Sequence, residues 1–189
     1  MENNSKKKLY VISGSSGVGK GTVINAFMNR NKDFVLSVSC TTRAPRDGEI
    51  EGVNYFFVTK EEFTKCIEND KFLEWAEFAG NRYGTKRKYI EQWLNEGKNV
   101  LLEIETNGAL QVKKKMPDAV LIFIAPPSLE ILEARLRGRH TEDEATIQKR
   151  LNEVKKELEC AKKYDYIVTN DNVDDAVLRI EKIIAGEQE

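Results

Sequence analysis

The segment from Gly14 to Thr22 constrains the fold of this chain more than any other. It reads GSSGVGKGT, directly after the apolar run Leu9 to Ile12 and before a helical pattern near Val23 to Met28. Its glycines let the backbone turn tightly and point several N–H groups inward, and the next helix offers its positive dipole end to an anion. A glycine-rich loop in this context predicts a strand, a phosphate-binding turn and a helix. The predicted phosphate-binding residues are Gly14, Ser15, Ser16, Gly17, Val18, Gly19, Lys20, Gly21 and Thr22.

Two positions of this loop carry its charge and hydroxyl chemistry. Lys20 supplies a mobile positive charge for the β- and γ-phosphates of a nucleotide. The usual pattern has Ser or Thr next, to reach Mg²⁺, but this chain has Gly21 there and its hydroxyl at Thr22. The GKGT order resembles the loop of nucleoside-monophosphate kinases, in which nucleotide phosphates and water hold most of the metal. Direct ligation by Thr22 is the alternative, and a glycine-rich turn with an incidental lysine is the competing interpretation.

Short apolar runs alternate with amphipathic helical patterns along the rest of the chain. Val100 to Glu105, Ala119 to Ala125 and Tyr166 to Val168 predict further strands, and Asp174 to Ile184 predicts a final helix. Continuous apolar runs indicate strands that are covered on both faces. The sequence therefore predicts an α/β fold, with a P-loop three-layer α/β/α core and a mostly parallel sheet.

Two regions interrupt this alternation and are interpreted as insertions into one domain, residues 1–189. The first, about 37–96, contains the aromatic run Asn54 to Val58 and a helix that Thr59 opens with capping-box spacing to Glu62. The core is then expected to comprise about 1–36, 97–126 and 164–189.

The second region, about 127–163, carries a long charged helix and is expected to form a helical lid. Thr141 and Glu144 have capping-box spacing and predict where this helix begins. An apolar stripe at helical spacing predicts packing against the core. The stripe consists of Ile147, Leu151, Val154, Leu158 and Ala161.

Composition excludes several classes of partner and chemistry. Thirty basic residues nearly balance 31 acidic ones, so neither a nucleic-acid polymer nor an anionic membrane is expected as partner. No signal peptide is expected, and no stretch approaches the roughly 20 apolar residues of a membrane-spanning helix. Cys40, Cys66 and Cys160 lack metal-binding spacing and predict reduced thiols in a cytoplasmic protein. His140 is the only histidine, which argues against Ser-His or Cys-His nucleophilic catalysis.

A basic and aromatic set of residues follows the glycine loop. Arg43 and Arg46 lie three positions apart beside a proline. A planar, always-charged guanidinium suits a phosphate that must stay in place during transfer. Taken singly, Tyr55 could be a strand core residue, Glu74 a solvated acid and Thr85 a helix cap.

Together, these residues form longer motifs that resemble the guanylate kinase family. The motifs are Ser39-x-Thr41-Thr42-Arg43-x-x-Arg46, Gly48-Glu49, Gly52-x-x-Tyr55, Phe72-x-Glu74-Trp75, Tyr83-Gly84, Leu102-Glu103-Ile104, Gly108, Arg135-x-x-Gly138-Arg139 and Lys149-Arg150-Leu151. The resemblance extends from Leu9 to Asn170. It implies transfer of the γ-phosphoryl group of ATP to GMP, giving ADP and GDP, with Mg²⁺ as cofactor. The deoxy form of GMP remains open as a second acceptor.

The resemblance also implies which residues bind the acceptor. Guanine presents N1–H and a 2-amino group as donors, which a carboxylate at Glu74 can accept, while hydroxyls at Ser39 and Thr85 suit O6 or the amino group. Arginines and tyrosines would hold the phosphate, and the acids that end the predicted strand Val100 to Glu105 would reach the base or metal-bound water. The implied GMP-binding residues are Ser39, Arg43, Arg46, Tyr55, Glu74, Tyr83, Thr85, Glu103 and Glu105.

For the donor nucleotide, the resemblance adds arginines of the lid. Arg135, Arg139 and Asn170 would bind ATP together with the glycine loop. The residues implied in catalysis are Lys20, Arg43, Arg139 and Arg150. The acceptor oxygen is already an anion, so no general base is needed, and positioning and charge stabilisation dominate such transfers.

Two other functions share part of this pattern. One is a catalytically silent protein-binding module of guanylate-kinase-like fold; such domains typically lose the complete glycine loop, which this chain keeps. The other is a kinase for AMP or UMP, which would share the loop but not the set Ser39, Glu74 and Thr85.

Position 105 yields the first prediction, because relatives usually have aspartate there and glutamine two residues later, whereas this chain has Glu105 and Asn107. The extra methylene moves the carboxylate outward by about 1 Å, on a scale where small displacements alter rate. We expect Glu105→Asp to retain or raise GMP turnover in a steady-state assay. A loss beyond about tenfold would instead mean that the glutamate is specifically fitted.

Overall fold

A computed structural model describes residues 7–15, 17–138 and 143–187 of the chain. Its strands are β1 (Leu9–Gly14), β2 (Phe34–Leu36), β3 (Cys40–Thr41), β4 (Phe56–Phe57), β5 (Phe72–Phe78), β6 (Asn81–Lys86), β7 (Asn99–Glu103), β8 (Val120–Ala125) and β9 (Tyr166–Thr169). Its helices are α1 (Lys20–Arg30), α2 (Lys60–Glu68), α3 (Arg87–Asn95), α4 (Thr106–Lys115), α5 (Leu129–Arg137), α6 (Glu144–Ala161) and α7 (Val173–Ala185). Among these helices, none is long and apolar enough to cross a membrane.

The strands form two sheets. The larger has five strands in the order β2-β7-β1-β8-β9, in which β2 pairs with β7, and β8 with β9, in parallel. The smaller has four strands in the order β4-β3-β6-β5. Every residue of β1 is buried, as a strand covered on both faces requires. The predicted α/β fold with a mostly parallel central sheet is confirmed.

The chain divides into two compact units, of which the first comprises Met1–Val11 and Asp33–Val120. Its smaller sheet packs on an aromatic cluster in which the rings of Phe63 and Phe72 have centroids 4.4 Å apart. Phe63 belongs to α2, which begins with the predicted capping box: Thr59 Oγ1 accepts from Glu62 N at 3.1 Å, and Glu62 Oε2 accepts from Thr59 N at 2.8 Å.

The second unit comprises Ile12–Lys32 and Leu121–Glu189. In it, α1 packs against α7, and α5 packs against α6. The predicted stripe of α6 is buried at Ile147, Leu151 and Val154, which contact Leu132 of α5. The stripe is therefore buried, as its spacing predicts, but in a small apolar cluster that it shares with α5.

Two local predictions need correction, and one short strand of the central sheet was not predicted. The strand predicted to reach Glu105 ends at Glu103, because Glu105 is already the N-cap of α4. The helix predicted to be capped by Thr141 begins at Glu144, and its N-cap is Asp143, whose side chain accepts from Thr146 N at 2.8 Å. Thr141 itself lies outside the described residues. The three-residue strand β2 was not predicted, since so short a segment has no clear periodicity.

The capping box of α2 gives a prediction about stability. Replacing Thr59 with alanine removes the oxygen that accepts from Glu62 N, so we expect Thr59→Ala to lower the free energy of unfolding by about 1 kcal/mol. Urea titration followed by circular dichroism measures it. Thr59→Ser keeps the oxygen and is the matched control; equal losses in the two variants would contradict the capping role.

Candidate functional site

The glycine loop joins β1 to α1 within the second unit. Gly17 and Gly19 have φ values of 82° and 86°, which side-chain-bearing residues rarely adopt. Gly19 is the N-cap of α1 and leaves the first N–H groups of the helix without a side-chain cap. A Cβ on Gly14 would lie 2.6 Å from the carbonyl oxygen of Ile124. Glycine at these three positions therefore shapes a loop whose N–H groups and helix end suit an anion.

Asn170, at the end of β9, fixes the shape of this loop. Its Nδ2 donates to the carbonyl oxygen of Val18 at 2.7 Å, and only 5% of the residue is exposed. A Cβ on Gly19 would lie 3.0 Å from the same Nδ2. The sequence interpretation placed Asn170 among ATP-binding residues; the structure places it against the loop backbone, where it positions the loop.

The loop also contains buried hydroxyl groups. Within the described residues, Ser13 Oγ and Ser15 Oγ are buried and have no hydrogen-bond partner. Buried hydroxyls in proteins are nearly always hydrogen-bonded. The unsatisfied hydroxyl of Ser15 thus adds to the polar capacity of the loop for a further group. Lys20 is the half-buried first residue of α1, and Thr22 is exposed on the same helix.

An ion-pair network connects α5 and α6, the helices of the predicted lid. Arg137 of α5 bonds Glu133 of its own helix and both carboxylate oxygens of Glu144 on α6, with Arg137 Nη2 2.7 Å from Glu144 Oε1. The guanidinium of Arg137 lowers the pKa of the Glu144 carboxyl to about 2. The sequence analysis assigned no role to Arg137, because the sequence does not indicate which acidic residue a helical arginine will contact.

Several predicted residues cannot be placed in full. Ser16 and Arg139 lie outside the described residues. Arg135 and Arg150 belong to α5 and α6, and their side chains lie outside the described part of the structure.

In the first unit, Glu74 and Thr85 form a buried polar pair. They lie directly opposite each other on β5 and β6, and Thr85 Oγ1 donates to Glu74 Oε1 at 2.6 Å. Glu74 is 4% exposed and Thr85 is fully buried. Burial raises the pKa of the Glu74 carboxyl, although the hydrogen bonds from Thr85 and the charge of Lys115 oppose that rise. The alternatives of a solvated acid and a helix cap are therefore excluded; the N-cap of α3 is Lys86.

Arg43 organises a second polar cluster of the first unit. Its Nη2 lies 2.7 Å from Glu49 Oε1, and the two side chains are 15% and 18% exposed. Its Cζ lies 5.5 Å from the ring centroid of Tyr55, which is in turn 5.9 Å from that of Tyr83. The bond to Glu49 raises the pKa of Arg43, with a smaller contribution from Tyr83. Burial raises the pKa of the Tyr55 phenol, so this phenol keeps its proton and is suited to donate it.

The remaining predicted residues of this unit lie at strand ends and in loops. Ser39 is half-buried just before β3, and Arg46 is exposed, with its backbone N–H donating to Glu49 Oε2 at 2.8 Å. Glu103 ends β7 and is exposed, as is Glu105 at the start of α4.

These placements define two kinds of binding chemistry within the first unit. The Glu74–Thr85 pair offers a carboxylate that can accept N–H groups of a planar ring, beside a hydroxyl. The cluster of Arg43, Tyr55 and Tyr83 offers the donors and positive charge that a phosphate requires. Glu49, which sequence reasoning quoted only within a motif, is the group that holds the Arg43 guanidinium.

Comparisons with known proteins agree with this chemistry. The sequence model of the family described as guanylate kinase matches residues 6–187. Among similar curated proteins, the guanylate kinase of Halalkalibacterium halodurans is 50% identical over 182 residues, covering 96% of this chain and 89% of that protein. The guanylate kinase of Bacillus anthracis is 53% identical over 180 residues, covering 95% and 88%. The crystal structure of guanylate kinase from Anaplasma phagocytophilum matches with a TM-score of 0.78 and 35% identity, covering 98% of this chain and 88% of that one.

Burial of Glu74 gives a prediction about the pH dependence of stability. Because the folded protein holds this proton more tightly than the unfolded chain, the resulting stabilisation is complete below the ordinary glutamate pKa of 4.5 and is lost as pH rises through the raised value. The wild type should therefore lose stability relative to Glu74→Gln as pH rises over that window. Urea titrations at a series of pH values measure the difference.

Glu77→Gln, on the same strand but exposed, is the matched control for this comparison. A wild type that gained stability relative to Glu74→Gln over the same pH window would contradict a raised pKa at Glu74.

Proposed function

The chain belongs to the guanylate kinase family and transfers the γ-phosphoryl group of ATP to GMP, giving ADP and GDP; from this premise we propose how its residues divide the work. The first unit contains the acceptor residues and the second contains the donor residues. In the domain division predicted from the sequence, residues 37–96 form the GMP-binding region, residues 127–163 form a lid and the remaining segments form the core.

The buried Glu74–Thr85 pair is the observation that carries the acceptor assignment. We propose that the Glu74 carboxylate accepts N1–H and the 2-amino group of guanine, with the hydroxyls of Ser39 and Thr85 alongside. Adenine reverses this hydrogen-bonding edge and would leave a buried carboxylate unpaired, a mismatch that can cost about a factor of 10⁴. Two donors from guanine favour the charged carboxylate and so offset the burial that raises its pKa.

The GMP phosphate is assigned to the cluster around Arg43. Arg43, Tyr55 and Tyr83 lie together in the structure, and Arg46 adds an exposed guanidinium three residues along the chain. Glu49 holds the Arg43 guanidinium before any phosphate binds. A guanidinium that is already oriented loses less side-chain entropy on binding, and a phosphate so held stays in line for transfer.

Glu103 and Glu105 are proposed to act at the acceptor as well. They lie at the end of β7 and at the N-cap of α4, and the charge of Glu103 is near enough to Tyr55 to raise the pKa of that phenol. Contact of these carboxylates with the guanine base or with metal-bound water fits their position after a buried strand.

ATP is assigned to the glycine loop. The left-handed turns at Gly17 and Gly19, the uncapped helix start and the side chain of Lys20 supply donors and positive charge for the phosphates. The hydroxyl of Ser15, which is buried without a partner among the described residues, fits an added acceptor oxygen. Asn170 holds this loop in shape through Val18.

Mg²⁺ is the cofactor that we propose. The segment 12–32 contains no Asp or Glu, and its hydroxyl nearest the lysine is Thr22, so the residues of the loop fit an ion held mainly by nucleotide phosphates and water. When bound, Mg²⁺ supplies charge neutralisation at the β- and γ-phosphates. Lys20 places its ammonium against the same oxygens.

The lid arginines complete the proposed donor site. Arg135, Arg139 and Arg150 are assigned to the donor phosphates and to the charge that develops on the transferring group, as the resemblance implies. The ion pair of Arg137 with Glu144 supports this assignment, because it joins α5, which carries Arg135, to α6, which carries Arg150.

We place the reaction in purine nucleotide metabolism of the cytoplasm, with ATP and GMP as partners and the deoxy form of GMP as a further acceptor. The near balance of basic and acidic residues and the three free cysteines support this location. Neither a nucleic-acid polymer nor a membrane surface is assigned as partner.

An acceptor comparison tests the proposed function. GMP, AMP, CMP and UMP are each offered with MgATP, and ADP release is followed in a coupled assay. We expect GMP to exceed the others by about 10³-fold or more in kcat/KM, and Glu74→Gln to lose about 10²-fold with GMP because a carboxamide cannot accept both donors. Glu77→Gln is the matched control and should resemble the wild type.

Two outcomes would overturn the assignment. No turnover with any acceptor would favour a protein-binding module of the same fold, and a preference for AMP or UMP would contradict the role of Glu74.

A further inference from the structure

We infer that Gln111 is a positioning residue for guanine recognition, because its side-chain amide holds the backbone of the strand that carries Glu74. The inference rests on the proposed contact between Glu74 and guanine. It adds a residue that touches no substrate atom and acts through the placement of a neighbouring carboxylate.

The strand β5 needs a partner on its outer side. It is the last strand of the smaller sheet and pairs with β6 on one edge alone. The backbone groups of an edge strand that point away from the sheet require other partners. At Trp75, the side chain of Gln111 is the partner of both backbone groups. Its Oε1 accepts from Trp75 N at 3.2 Å, and its Nε2 donates to Trp75 O at 2.8 Å. One primary amide thus replaces a neighbouring strand at this position.

The other residues on this face of α4 also contact β5. Gly108, Gln111 and Lys115 follow one another at helical spacing of three and four, which puts them on one side of the helix. Lys115 Nζ donates to Phe72 O at 2.9 Å. A Cβ at Gly108 would lie 2.5 Å from Glu74 Oε2. The helix therefore holds the edge strand at Phe72 and Trp75 and leaves space for the carboxylate that lies between them in sequence.

This arrangement determines where the Glu74 carboxylate lies. On the sheet side, Thr85 donates to Oε1 at 2.6 Å; on the helix side, Oε2 lies against the backbone of Gly108. The backbone of the next residue is fixed by Gln111 from across 36 positions of sequence. If the strand separated from α4 by a few tenths of an ångström, the carboxylate would move with it, and its bonds to a rigid planar base would weaken.

Gln111 should therefore affect guanine binding selectively. The residues that we assign to ATP lie in the second unit, whereas α4 belongs to the first, and the Arg43 guanidinium is held by Glu49 and Tyr55. Inosine monophosphate has the same phosphate and N1–H as GMP but lacks the 2-amino group. A displaced Glu74 carboxylate should lose more with GMP than with inosine monophosphate, because GMP alone depends on two bonds to it.

The test uses Gln111→Met, which keeps the length of the side chain but removes both hydrogen bonds. Gln111→Glu is a second variant, which keeps an acceptor for Trp75 N and loses the donor to Trp75 O. Gln92→Met is the matched control, since Gln92 is an exposed glutamine of α3 whose side chain donates to Glu96 Oε1 at 2.8 Å. For each full-length protein, kcat and KM are measured with GMP, inosine monophosphate and ATP, and Tm is measured in parallel.

We expect Gln111→Met to raise KM for GMP about tenfold and to lower the preference for GMP over inosine monophosphate by a similar factor, as loss of two hydrogen bonds would produce. KM for ATP should stay within about twofold of the wild type. Gln111→Glu should also raise KM for GMP and lower the preference for GMP over inosine monophosphate. This variant provides the test if Gln111→Met does not fold. Gln92→Met should match the wild type throughout.

Two results would overturn the inference. One is an unchanged KM for GMP and an unchanged GMP preference in both Gln111 variants. The other is an equal loss of kcat with both acceptors together with a lower Tm, which indicates a structural role alone. Failure of the proposed function is distinguishable, because the wild type would then show no preference for GMP over inosine monophosphate and Glu74→Gln would leave KM for GMP unchanged.

Discussion

The buried hydrogen bond between Thr85 and Glu74 is the interaction on which the proposed acceptor site depends. A carboxylate with 4% exposure loses most of its hydration, so it stays charged only where nearby donors replace water. Thr85 provides one donor from the opposite strand, and the charge of Lys115 contributes from α4. A guanine base would provide two more. The protein therefore tolerates an unfavourable burial of Glu74, and in the proposed site that burial would favour guanine, since a base without matching donors would leave the carboxylate short of hydrogen bonds.

The phosphate side follows a different physical rule. Arg43 keeps its charge at every ordinary pH, so the structure needs only to fix the orientation of its guanidinium group. Glu49 supplies that orientation through a bond of 2.7 Å, and Tyr55 and Tyr83 pack beside the guanidinium. In the second unit, positive-φ glycines and Asn170 fix the backbone of the glycine loop in the same way. Both proposed phosphate sites thus consist of donors placed before a ligand arrives, which suits a reaction governed by positioning and charge stabilisation.

Local sequence signals predicted much of this and failed where the signal was not local. The strand-loop-helix at Gly14 to Thr22 and the capping box at Thr59 were predicted correctly, because each depends on residues within a few positions. The predicted start of α6 was wrong: the sequence offers two good capping residues, Thr141 and Asp143, and the helix uses Asp143. The strand β7 was predicted to extend two residues too far, because an apolar run does not mark where a strand ends and a helix begins.

By itself, the sequence determined the kinds of group that this protein offers: a glycine loop with a lysine, paired arginines and tyrosines, and a carboxylate within an aromatic run. Together with the resemblance that these motifs carry, that was enough to predict the fold class and the reaction. Only the tertiary structure decided which groups act on one another. Glu74 and Thr85 are 11 residues apart and Gln111 and Trp75 are 36 apart, and no spacing rule links them. Their contacts arise from strand register and from the packing of α4 on the edge of β5, which depend on the whole first unit.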